Sequence, residues 1–306
     1  MIGDESVARV YIGLSSHGKL LEWVESVQPP IPLMEKWVNI ISTLYGCPVG
    51  CRFCDAGGGY GGKVSLDEML FQIETMVNPR FECGQIPVKK WKIQFARMGE
   101  PAMNDDVLSL LETLPQRYQA PGLLPCVSTI APIGKEMFFE RLLDIKQRLY
   151  KGRFQLQFSI HSTRLDQREW LIPIPIWSFE RIARYAERFY SGGDDDRKVS
   201  LNFALAKGME LDPNVLVQYF SPDVFLIKIT PVNPTYRSKD HHLTTFFKNE
   251  TDHPILDALR EVGYEVLLSI GELEENQIGS NCGQYIQTHQ KALVKMQEGY
   301  RSVNPS

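Results

Sequence analysis

"YGCPVGCRFCDAGGG", residues Tyr45 to Gly59, carries Cys47, Cys51 and Cys54 within eight positions, half of the six cysteines in a chain of 306 residues. The other three, Cys83, Cys126 and Cys282, stand far apart. Three thiols with no fourth beside them narrow the chemistry. A structural zinc site takes four ligands, commonly as two pairs; no second pair follows here, and the histidines are scattered. A redox dithiol needs only the C-x-x-C of Cys51 and Cys54, which leaves Cys47 without a role. A 4Fe-4S cluster is held by thiolates, normally four. Three would leave one iron open to bind something else.

Reading outward, the apolar run WVNIIST (37–43) precedes the first cysteine and reads as a strand. SLDEMLFQIETMV (65–77) follows as a helix: Ser65 and Glu68 fit a capping box, and Leu66, Met69, Leu70, Ile73 and Met76 share a face. The alternation continues. KWKIQFA (90–96), LPCVSTIA (124–131), FQLQFSI (154–160), KVSLNFALA (198–206) and VFLIKITPV (224–232) read as strands. DDVLSLLETL (105–114), KEMFFERLLDIKQRL (135–149), SFERIARYAERFY (178–190) and HPILDALREVG (253–263) read as helices, the last closed by Gly263. SGGDDDRK (191–198) reads as a solvated turn, and Gly57 to Lys63, GGGYGGK, as a glycine loop that allows close backbone approach. The same stretch matches G-x-x-x-x-G-K, but Val64 stands where a phosphate-binding loop has Ser or Thr. Before the first strand, VARVYIGL (7–14), a Ser-Ser-His-Gly turn and KLLEWVESV (19–27) predict a hairpin, and Gln28 to Leu33 a connector.

Six alternating units imply an α/β protein with a parallel sheet covered by helices, a partial (β/α)6 TIM-like barrel with a short N-terminal β-hairpin extension. Chemistry then gathers at the carboxyl ends of the strands, where Cys47 falls. The expected division is a hairpin and connector over 1–33, a core barrel over 34–290, and a closing helix end and tail over 291–306.

Composition is that of a globular protein, 43% hydrophobic and 23% charged. The formal net charge of −4 and the pI of about 5.9 are not the footprint of a protein devoted to gripping phosphate backbones. A local basic face is still compatible with that total. The first residues lack the basic start and apolar run of a signal peptide, no stretch is long and apolar enough for a membrane span, and the cysteines do not pattern as a secreted disulfide framework. A cytoplasmic location with reduced thiols is the expectation.

C-x3-C-x2-C after a first strand, with Phe53 before the last cysteine, resembles the radical S-adenosylmethionine (SAM) superfamily. In that superfamily the open iron chelates SAM, and an electron from the cluster cleaves it to methionine and a 5′-deoxyadenosyl radical. Five further segments, in order, resemble the RlmN/Cfr-type methyltransferases: RMGEPAMN (97–104), CVSTIAP (126–132), FSIHSTRLDQREWLIPI (158–174), ITPVNP (229–234) and SNCGQY (280–285). The resemblance implies that Cys47, Cys51 and Cys54 hold the 4Fe-4S cluster. It implies that Gly99 and Glu100 meet the SAM amino group, and that Ser128, Ser159, His161 and Asn233 line its carboxylate, ribose or adenine. It makes Cys282 the catalytic residue, a thiolate that takes a methyl group from one SAM before the carbon passes to the substrate, which in that family is an adenosine of ribosomal RNA. A one-electron donor such as flavodoxin or ferredoxin is implied as a partner.

The chain also departs from the family. The second catalytic cysteine, seven residues before the first cluster ligand, is Ile40 here. Cys126, in register with Ser128, and Cys83 are weaker substitutes; both read better as unreactive thiols. Arg97 replaces a glycine and Trp170 a polar residue. Glu22 aligns loosely with a family glutamate held to accept a proton, but reads better as a surface strand residue. Some 30 residues precede the connector, where the family carries an RNA-binding domain. With the acidic pI, this makes a small-molecule substrate the expectation and RNA the disfavoured one. Competing readings are a rearrangement or oxidation with Cys282 as hydrogen donor, an RNA methyltransferase whose RNA-binding part comes from a partner, and a non-enzymatic metalloprotein.

Overall fold

The computed structural model describes residues 2–4, 7–15, 17–27, 30–193, 195–246, 254–269 and 286. Cys282 and the expected C-terminal helix lie outside them. The chain forms two compact units, one of Met1–Pro48, Cys54–Pro125 and Gly271–Ser306, the other of Val49–Phe53 and Cys126–Ile270.

In the first unit, β1 (Ile2–Asp4), β2 (Ala8–Leu14) and β3 (Leu20–Ser26) run antiparallel, and β3 also pairs antiparallel with β4 (Trp37–Ile41). The expected hairpin therefore exists, and it is built into the same sheet as the first strand of the expected barrel. β5 (Leu44–Cys47) pairs antiparallel with β6 (Gly58–Lys63) in a separate ribbon. This corrects the glycine-loop reading of residues 57–63, most of which form a strand. Glycines weaken strands, yet here they admit a close approach. A Cβ on Gly46, which sits at φ 71°, would lie 2.6 Å from the Gly58 carbonyl oxygen. Helix α1 (Leu66–Val77) follows with both arms of the Ser65/Glu68 capping box formed. β7 (Trp91–Phe95) then pairs parallel with β4, and α2 (Asp106–Arg117) leads to β8 (Leu123–Thr129), within which the unit boundary falls.

The second unit continues with α3 (Glu136–Ile145), β9 (Gln155–Ser159), α4 (Leu165–Leu171), α5 (Phe179–Phe189), β10 (Val199–Leu205), α6 (Pro213–Tyr219), β11 (Phe225–Pro231), α7 (Tyr236–Asp240), α8 (Pro254–Glu261) and β12 (Val266–Leu268). β8, β9, β10, β11 and β12 pair parallel, each with the next. All six strands expected as parallel are present. The strand order runs from β1 to β12 without returning, so the architecture is a mixed α/β fold on an open, largely parallel sheet, and barrel closure is not seen among the described residues.

Apolar alternation explains where the cores lie. Phe139, Phe158, Trp177 and Tyr185 bury their rings against one another in the second unit. Trp37 stacks on Trp91 in the first. The turn at 191–198 is not wholly solvated. Asp196 there reaches the fully buried Lys146, whose ammonium donates to Asp196 (2.9 Å), the Phe189 carbonyl (2.7 Å) and Ser191 Oγ (3.1 Å). Those three bonds use all three of its donors, which is what lets a lysine be buried.

Candidate active site

The three cysteines lie on or just after β5. Cys47 ends that strand, buried; Cys51 and Cys54 follow on the loop to β6, half-buried. The loop crosses the unit boundary, so Cys47 and Cys54 belong to the first unit and Cys51 to the second.

The stretch from Val49 to Phe53 is held by its backbone. Arg237 donates to the carbonyls of Gly50 (Nη2, 2.8 Å) and Cys51 (Nε, 3.1 Å), Thr235 Oγ1 donates to that of Phe53 (2.8 Å), and the Arg52 amide donates to the Leu171 carbonyl (3.0 Å). Thr235 also caps α7 by accepting from the Ser238 amide, so the helix that carries Arg237 and the cysteine loop share one anchor. Sequence reasoning missed both residues. The one available signal was Thr235 as a helix N-cap.

After β7, Gly99 sits at φ 101°, and a Cβ there would lie 2.5 Å from Leu44 Cβ, so close packing alone already demands glycine. Glu100 is buried; its Oε1 accepts from the Ala102 amide (3.1 Å) and caps a single 3-10 turn, Pro101–Met103. Asn104 ties this turn to the start of β5 and the end of β6 by donating to the carbonyls of Thr43 (2.8 Å) and Val64 (2.7 Å).

In the second unit, Ser128 Oγ accepts from Gln157 Nε2 (3.2 Å), and Ser159 ends β9, half-buried. His161 is buried at φ 66°, its Nδ1 accepts from the Ala204 amide (3.0 Å), and its ring meets Phe53 edge-on at 4.7 Å. Burial, and secondarily the charge of Arg168, pushes its pKa down to about 3. His161 is therefore a neutral acceptor at physiological pH. The Asn233 carbonyl accepts from Ser238 Oγ (2.9 Å) and the Thr235 amide (2.8 Å). Every one of these residues lies in the last turn of, or just after, a parallel strand, as α/β chemistry requires.

One expectation is corrected. Glu22 is not a surface residue: it is fully buried on β3, with Arg97 Nε 3.0 Å from its Oε1 and the Ile286 amide donating to its Oε2 (3.2 Å). Taking a carboxylate out of water requires a charged partner, and Arg97, where the resembled family has glycine, supplies it. Ile40, at the position of the family's second cysteine, pairs with Val24 and packs on the Val7, Ala8, Val10 and Val24 cluster. Cys126 is buried on β8, and Cys83 is exposed at φ 53°.

Among the described residues, no three His, Cys, Asp or Glu side chains converge as ligands of a single metal ion. A cluster sets a different requirement, because each thiolate binds its own iron. Three thiols at the end of β5 and on the loop after it, with the Gly50, Cys51 and Phe53 carbonyls already bonded, suit that role.

No protein-family profile matches the chain. It is 26% identical over 281 residues to the dual-specificity RNA methyltransferase RlmN of Wolinella succinogenes, covering 87% of this chain and 74% of the relative. To the probable RlmN of Chlorobium phaeobacteroides it is 25% identical over 265 residues, 83% and 68% of the two chains. In fold it is similar to a radical SAM methyltransferase from Sphaerobacter thermophilus, with a TM-score of 0.67 and 20% identity over 93% of this chain and 79% of that one. Fold, thiol spacing and relatives liken the chain to enzymes of the radical SAM methyltransferase type, a class that uses a 4Fe-4S cluster and SAM. Within that class the chain resembles the RlmN/Cfr-type enzymes.

Proposed function

We propose that the chain transfers a one-carbon group from SAM to RNA, with Cys47, Cys51 and Cys54 as cluster ligands and Cys282 as the thiolate that receives the methyl group. The observation that carries the reading is the Val49–Phe53 loop, which bears Cys51 and whose carbonyls are held by Thr235 and Arg237. When bound, the cluster supplies the electron that cleaves SAM, drawn from a donor such as flavodoxin or ferredoxin.

The chain's own residues bind and orient. Glu100 offers a carboxylate to an ammonium. Ser128, Ser159 and Asn233 offer hydroxyl and amide groups to ribose, carboxylate or purine edges. His161, kept neutral, holds the strand ends by accepting from Ala204 and packing on Phe53. RNA takes precedence over the small-molecule expectation because the relatives named above carry RNA methyltransferase names. A small-molecule substrate is the second reading, favoured by the net charge of −4.

The test is transfer of label from methyl-labelled SAM under reducing, anaerobic conditions, with bulk RNA or a cell extract freed of RNA as acceptor. Label in RNA, lost with any of the three cysteines changed to alanine, supports the proposal. Label confined to the RNA-free fraction overturns the RNA part, and absence of SAM cleavage in cluster-loaded protein overturns the whole.

A further inference from the structure

Cys51 sits between two carbonyl contacts made by a single guanidinium. Arg237 Nη2 lies 2.8 Å from the Gly50 oxygen and Nε lies 3.1 Å from the Cys51 oxygen, although these residues are 186 and 187 positions apart in sequence. Arginine presents its donors in a rigid planar fork that lysine lacks, so one side chain fixes two successive peptide planes. Gly50 is at φ 70°, and a Cβ there would stand 3.8 Å from Arg237 Nη2. The loop thus turns against the guanidinium. Thr235 closes the far side of the turn at Phe53 (2.8 Å).

The charge matters as much as the bonds. Iron–sulfur potentials depend on net charge, hydrogen bonding and exposure around the cluster, and a permanent cation favours the reduced, more negative state. The field of Arg237 is felt nearby: His241, at the end of α7, has its pKa lowered, first by desolvation and then by the charges of Arg52 and Arg237.

We propose that Arg237 is a positioning residue for Cys51 that fixes the cysteine loop and raises the reduction potential of the cluster bound there. The inference rests on the reading of Cys51 as a cluster ligand.

The experiment compares wild type, Arg237→Gln and Arg237→Lys in two ways. In cluster-free protein, the rate of iodoacetamide alkylation at Cys51 is followed by peptide mass spectrometry, with Cys83 as internal reference. In reconstituted protein, the cluster midpoint is titrated by electron paramagnetic resonance, with iron content measured on the same samples. The expected result is Cys51 alkylation several-fold faster in both variants, because neither has the fork. The midpoint moves to more negative potential in Arg237→Gln at equal iron content and returns towards wild type in Arg237→Lys, which keeps the charge. An unchanged alkylation rate overturns the positioning role. A wild-type midpoint in iron-replete Arg237→Gln, or an equal shift in Arg237→Lys, overturns the electrostatic role. Should Arg237→Gln fail to take up iron, the Arg237→Lys midpoint and the alkylation rates decide. A wild-type Cys51 that stays reactive after reconstitution overturns the ligand reading itself, a separate result from both.

Discussion

His161 is unusual in combining burial with a left-handed backbone, a region that only glycine, asparagine and aspartate visit readily among common residues. Its pKa of about 3 lies below the ordinary value of 6.5, so below pH 6.5 the unfolded chain binds the proton more readily than the folded one. The associated stability is fully present above pH 6.5 and is lost as pH falls towards 3. His161→Asn, which tolerates the backbone and does not titrate, is expected to flatten the fall of melting temperature between pH 6.5 and 4; an unchanged acid slope would refute the assignment. Cys282 lies outside the described residues, and its role is tested directly. Peptide mass spectrometry of anaerobically prepared, SAM-supplied protein is expected to find one extra methyl group on it. An unmodified Cys282 in cluster-loaded protein would remove the methyl-acceptor role and favour a hydrogen-donor one.

At the scale of elements, the ribbon of β5 and β6 carries the cysteine loop, and two glycines make its close packing possible. Gly46 lets the β6 carbonyls approach, and Gly99 lets the turn after β7 lie on Leu44. Gly99→Ala meets both a positive φ and a contact at 2.5 Å with Leu44 Cβ. It is expected to destabilise by more than about 1 kcal/mol, measured by denaturant unfolding of cluster-free protein. A neutral result would show that the turn relaxes freely. By contrast Ser65→Ala loses a capping box away from the chemistry, at a cost of about 1 kcal/mol, and SAM cleavage by the folded variant is expected to match wild type.

Across the whole molecule, long-range polar contacts join parts of the sequence that periodicity cannot connect. Within the first unit, Glu22 of β3 meets Arg97 after β7 and the amide of Ile286, four residues beyond Cys282. Arg97→Met strands a buried charge and is expected to destabilise by about 3–5 kcal/mol. Glu22→Gln together with Arg97→Met should recover much of that loss in the same denaturant assay. If the double variant is as unstable as the single, charge is not the cause.

Local pattern sufficed for a good deal of this protein. Alternating apolar residues marked six parallel strands, the Ser65/Glu68 pair marked the start of α1, and three thiols in eight positions marked the candidate cluster loop. Such signals survive because hydrophobic period and capping depend on neighbours within a turn or a pleat. Whether the 57–63 glycines pair or loop, whether Glu22 faces water or Arg97, where Asp196 turns, and which side chain holds the Cys51 carbonyl were decided only by tertiary structure. Each depends on a partner from about a dozen to nearly two hundred residues away, and buried charges and backbone groups take their partners from whatever the fold brings within about 3 Å.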